Sequence, residues 1–128
     1  MRAAILVDTD VMVDYLRGHG WAASLLKRQA GRVILSSIVV AELYAGVKGE
    51  REQAILDDVV SLFRVVPVTA DIAKAAGLLK RDFGKSHGVG LADAILAATA
   101  RAEHAQLKTL NVKHYPMLRG LKPAYVRK

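Results

Sequence analysis

Apolar residues follow two alternating rhythms along this chain. Short runs, "AAILVD" (Ala3–Asp8), "RVILS" (Arg32–Ser36), "RVVPV" (Arg64–Val68) and "AQLKTLN" (Ala105–Asn111), are separated by stretches whose apolar positions recur every three or four residues. The short runs read as strands buried on both faces, and the periodic stretches as amphipathic helices. Pro67 cannot donate to a ladder, so the third strand should be short. Helices are expected over "DVMVDYLRG", stopped by Gly18 and Gly20, and over Trp21–Ala30. "SSIVVAELYAGV" (Ser36–Val47) follows, with Ser36 or Ser37 as N-cap. "REQAILDDVVSLF" places Ile55, Leu56, Val59, Val60 and Phe63 on one side. "TADIAKAAGLLKRDFG" has Thr69 as its N-cap and Gly84 past its end. "GVGLADAILAATARAEHA" is the last helix, with His104 near its C-terminus, and "AYV" offers a fifth strand.

Strands that alternate with helices, without hairpin signals, imply right-handed crossovers. The expected fold is α/β: one domain over residues 1–128, with a central parallel sheet of four to five strands and helices on both faces. Hydrophobic residues make up 52% of the chain and aromatics 5%, so the core should be aliphatic. There is no cysteine, which excludes disulfides, thiolate catalysis and cysteine-ligated zinc, and fits a reducing compartment. The opening apolar run is short for a signal peptide, and none approaches the roughly 18–20 residues that span a bilayer. A cytoplasmic protein without a membrane partner is expected.

Charge adds a direction. Nineteen Lys and Arg against twelve Asp and Glu give +7. From Arg101 onward seven bases face one acid, Glu103, a local balance of +6. Such a tail is an electrostatic footprint for a polyanion, and it also serves solubility.

In open parallel sheets the functional crevice lies beyond the C-terminal ends of the strands. Asp8 ends the first strand there, with Thr9 and Asp10 beside it. Glu42 lies about a turn and a half into the helix after the second strand, among apolar neighbours where a carboxylate is seldom buried unpaired. Asp93 opens the last helix, and Asn111 closes the fourth strand. Each has an ordinary structural role open to it: Asp8 or Asp10 as a helix cap, Asp93 against the helix dipole, Asn111 in a turn. Together they point to one crevice. Crowded carboxylates repel, and a divalent cation is the natural counter-charge. Histidine ligation is not indicated, because His19, His87, His104 and His114 are scattered. An acidic metal pocket on a basic protein suits hydrolysis of a phosphodiester.

"ILVDTDVMVDYL", "LSSIVVAELYAG", "GLADAILAATA" and "LKTLNVKHY" resemble, in order and spacing, the PIN-domain fold, most closely the VapC-like toxins of toxin–antitoxin systems. The resemblance covers nearly the whole chain. It implies a Mg²⁺- or Mn²⁺-dependent endoribonuclease acting on RNA, often tRNA or rRNA, through a metal-activated water. Asp8, Glu42 and Asp93 match the acids that gather around the metal as catalytic residues. A cognate antitoxin protein and a homodimer are the implied partners, with Ile55, Val59, Val60 and Phe63 serving either that surface or the protein's own core. Asn111 stands where many members carry an acid, and His114 where another often follows; Asn still offers a carbonyl oxygen. Asp10 reads as a capping or outer group, and Thr9 and Ser37 as water- or substrate-positioning hydroxyls.

Three other readings start from the same residues. A PIN-like module that binds RNA without turnover has the same ligands. "VDTDV" resembles the start of a haloacid-dehalogenase phosphatase, which usually needs a longer chain. A phospho-receiver domain needs an Asp closing its third strand, and neither "RVILSS" nor "RVVPVT" ends in one.

Overall fold

The computed structural model describes residues 3–126. Four strands, β1 (Ile5–Val7), β2 (Val33–Ser36), β3 (Arg64–Val66) and β4 (Gln106–Lys108), form one parallel sheet in the order β3-β2-β1-β4. Every residue of β1 and β2 is buried, as unbroken apolar runs require when helices cover the sheet. The helices are α1 (Thr9–Leu16), α2 (Gly20–Arg28), α3 (Ser37–Ala45), α4 (Gly49–Val60), α5 (Ala70–His87) and α6 (Leu91–Ala102). Helix α1 packs against α2 and α3, α3 against α4, and α5 lies along α6. The core is aliphatic apart from Tyr115, which is 1% exposed.

The topology fixes where a ligand would sit. β1 has β2 on one side and β4 on the other, so the chain leaves it in opposite directions and opens a crevice at its C-terminal end. No described helix is long and apolar enough to cross a membrane.

Several boundaries differ from the sequence reading. Gly84 does not end α5. The helix runs on to His87, and Gly88 ends it with φ 64°, the left-handed conformation that glycine adopts without steric cost. β4 stops at Lys108 because the next residues turn away, Thr109 offering its carbonyl to Ala124 and Leu110 its N–H to Asp10. The "AYV" segment forms no fifth strand: Ala124 donates to that single carbonyl and the ladder goes no further. Of the four apolar residues assigned to a partner surface or the core, Val59, Val60 and Phe63 pack against the core, whereas Ile55 is exposed.

Candidate active site

The end of β1 delivers Asp8, which is buried and is the N-cap of α1. Its Oδ1 accepts from the Thr9 N–H at 2.7 Å. Its Oδ2 accepts two hydroxyls, Thr109 at 2.8 Å and Tyr115 at 2.7 Å. Helix capping and a place in the crevice are therefore one arrangement. Capping uses one oxygen and leaves the other for the site.

Asp93 reaches the same point from the first turn of α6, where its carboxylate also accepts the Gly90 N–H that opens the helix. The Tyr115 hydroxyl lies 3.2 Å from Asp93 Oδ1, so one phenolic proton is shared between Asp8 and Asp93. His114 Nδ1 stands 3.6 Å from Asp93 Oδ2. Asp10 joins from behind: its Oδ2 accepts from the Leu110 N–H at 3.0 Å, the Asn111 side-chain amide at 3.0 Å and the Thr109 hydroxyl at 3.3 Å. Asp10 thus fastens the loop after β4 to the start of α1.

The remaining expected residues bond to other partners. Glu42 is exposed on α3, contrary to its apolar sequence surroundings, because only Val39 and Leu43 of that helix are fully buried. Its Oε1 accepts the Thr9 hydroxyl at 2.7 Å, which sets Glu42 at the rim one residue from Asp8. Thr9 is accordingly a tether. Asn111 donates from its amide nitrogen to Asp10 at 3.0 Å, a bond that does not use its carbonyl oxygen. Ser37 is engaged elsewhere, accepting from the Val68 N–H at 3.1 Å, while Ser36 is the N-cap of α3. Among the described residues, no three acid or histidine side chains form a ready-made metal-ligand set.

Crowding shows in the proton affinities. Burial raises the Asp10 carboxyl above its ordinary value, and the charge of Asp8 adds to that. Burial likewise raises Asp93, with His114 opposing and Asp8 reinforcing the rise. Burial, then the two carboxylates, push the Tyr115 phenol far up, so it remains a donor. Because folded Asp93 holds its proton more tightly than the unfolded chain does, stability falls as pH rises from 3.8 through the raised value. Asp93→Asn removes that charge, keeps an oxygen for the Gly90 N–H and offers its amide N–H to the Tyr115 oxygen, which still donates to Asp8. In metal-free buffer it should raise Tm by about 2–4 °C at pH 7, and the difference should close as pH falls toward 4. Thermal melts across pH check this; a lower Tm at pH 7 would show that the ionised carboxylate supports the apo fold.

Sequence reasoning missed Tyr115, Thr109 and the approach of His114. Thr109 left a signal, a hydroxyl at the C-terminal end of an apolar run. Tyr115 left none, since an aromatic after a loop commonly belongs to the core.

Known proteins share this framework. A family model described as the PIN domain matches residues 5–114, a span holding all four acids named above. The chain is 40% identical over 126 residues to a protein of Mycobacterium tuberculosis named Ribonuclease VapC10, covering 94% of this chain and 92% of that one. Another from the same species, Ribonuclease VapC19, is 41% identical over 124 residues, covering 94% and 98%. Among solved structures, a toxin–antitoxin complex from Klebsiella pneumoniae contains a chain that superposes with a TM-score of 0.83 at 25% identity, covering 95% of this chain and 98% of that one. VapBC2 from Rickettsia felis bound to a promoter DNA fragment gives 0.76 at 27% identity, covering 92% and 95%. These matches leave no place for the phosphatase and receiver readings. A model spanning the whole sheet, with relatives alike over nearly the full length, shows that the chain belongs to the PIN domain family.

Proposed function

We propose that this chain is a divalent-metal-dependent endoribonuclease that cuts RNA phosphodiester bonds, and that it is the toxin of a toxin–antitoxin pair, held by a cognate antitoxin. The observation that carries the chemistry is the convergence of Asp8 and Asp93 on one hydroxyl at the C-terminal end of the central strand. Relatives named ribonucleases and structural neighbours described as toxin–antitoxin complexes support the substrate and the partner.

The donor set fits Mg²⁺. Its oxygens are hard, and Mg²⁺ binds through one or two carboxylates, waters and substrate phosphates in preference to an all-protein cage. Asp8 and Asp93 would hold it, with the exposed Glu42 at the rim. Bound there, the ion supplies Lewis-acid polarisation of the phosphate and lowers the pKa of water. The protein's own groups do the rest. Tyr115 and Thr109 fix the direction of the Asp8 oxygen. Asp10 holds the loop that carries Thr109, and Thr9 aims Glu42.

Incubating the protein with structured RNAs in Mg²⁺ or EDTA tests the reading: metal-dependent internal cleavage is expected. Binding without cutting would instead establish a non-catalytic RNA module. Cation binding should also raise Tm, because a ligand at 100 times its Kd stabilises the folded state by about 2.7 kcal/mol. Asp93→Asn should blunt that rise, and an equal rise in the variant would remove Asp93 from the proposed metal site.

A further inference from the structure

A second polar feature lies along the free edge of β4. There an open cleft of about 600 Å³ is walled by the end of α6, by β4 and by residues 118–123. Its basic side chains are Arg101, His104, Lys108, Arg119 and Lys122, and no acid lines it. Glu103, the one acid after Arg101, pairs with Arg64 at 2.9 Å instead. Among the described residues, no acid pairs with Lys108, Arg119 or Lys122. Arg101 donates to the Met117 carbonyl at 2.8 Å, which holds the C-terminal segment across the helix end. Gln106 N–H and Lys108 C=O bond toward β1, so the backbone N–H of Leu107 between them faces away from it, on the cleft side.

His104 supplies an independent observation. It is the only non-glycine residue with positive φ, 50°, among the described residues. It sits just past the end of α6, with its own N–H on Arg101 O at 3.3 Å and Ala105 N–H on Ala100 O at 2.9 Å. That closure favours glycine, because a Cβ in the left-handed region is strained. The chain therefore places an imidazole on the wall of the cleft at a helix end where glycine would be the least strained choice.

We propose that this cleft is an exosite for the phosphodiester backbone of single-stranded RNA flanking the scissile bond. The proposal rests on the ribonuclease reading. Continuity with the acids favours RNA over an acidic peptide. Lys108 ends β4, its carbonyl accepts the Asp8 N–H at 2.9 Å, and the next residue, Thr109, binds Asp8 through its hydroxyl. Lys108 thus belongs both to the cleft lining and to the strand end that bonds Asp8, so a bound strand engaging both would run along β4.

The test uses the full chain, an Arg119→Ala/Lys122→Ala double variant and a His104→Gly variant. RNA affinity is measured in EDTA across salt concentrations, and cleavage in Mg²⁺ is measured on a long single strand and on a trinucleotide. In the double variant, Kd and KM for the long RNA should rise roughly tenfold, and the log–log salt slope should shrink by about 1.4 for two lost phosphate contacts. Its kcat and its trinucleotide cleavage should stay at wild-type values. His104→Gly should melt higher than wild type while still binding RNA more weakly, which a purely structural histidine would not do. Wild-type affinity and slope in the double variant overturn the exosite. Unchanged RNA affinity with lost affinity for polyglutamate also overturns it, in favour of an acidic peptide. A wild-type protein that cuts no RNA overturns the ribonuclease reading, and the binding measurements then decide the exosite by themselves.

Discussion

Asp8→Asn should lower Mg²⁺-dependent RNA cleavage by about 10³-fold, the scale on which removing a group that stabilises transition-state charge acts. The fold should survive the change. Asparagine is as good an N-cap as aspartate, so α1 keeps its start. The Thr109 and Tyr115 hydroxyls accept as readily as they donate, so either can rotate to meet an amide N–H. The loss is then one of negative charge at the carboxylate the central strand delivers. Cleavage of labelled RNA, together with a melt within a few degrees of wild type, checks this. A folded variant that cuts at more than a tenth of the wild-type rate would take Asp8 out of the chemistry.

The sheet edge that carries Asp8 is legible in the sequence. Unbroken apolar runs give β1 and β2 their double burial, and an acid directly after β1 must then emerge at the strand's C-terminal end. Asp93 was legible for a similar reason, as an acid in the first turn of an apolar helix that leads back into the sheet. Glu42 is less legible. Apolar neighbours along a sequence do not say which side of a helix faces the core, and Glu42 lies on the open side of α3. Asn111 and Ser37 show the limit of reasoning from residue type. Each takes a partner fixed by tertiary structure, Asp10 for the Asn111 amide nitrogen and the Val68 N–H for the Ser37 hydroxyl oxygen. Tyr115 was invisible because its partners are 107 and 22 residues away in the chain.

Tyr115→Phe should be the most destabilising single-atom change at the site. The ring is 1% exposed and phenylalanine refills its volume, so no cavity opens. What disappears is the one proton shared by Asp8 and Asp93. Hydrogen bonds to ionised groups contribute about 1.5–3 kcal/mol, and each carboxylate retains another donor, so a loss of about 2 kcal/mol is expected, or about 6–10 °C in Tm. The pH dependence separates this cause from packing. The Tyr115 hydrogen bond lowers the Asp93 pKa, which burial already raises, so its removal raises that pKa further. The folded variant then binds a proton more readily than the unfolded chain over a wider range above 3.8, and its stability falls more steeply as pH rises through that range. The deficit should be full at pH 7 and shrink as pH falls toward 3.8 and Asp93 takes up its proton. Millimolar Mg²⁺ should recover part of it at pH 7, since a cation placed between Asp8 and Asp93 relieves the repulsion the phenol had moderated. A deficit equal at both pH values and unmoved by Mg²⁺ would make Tyr115 a packing residue and leave the two carboxylates electrostatically independent.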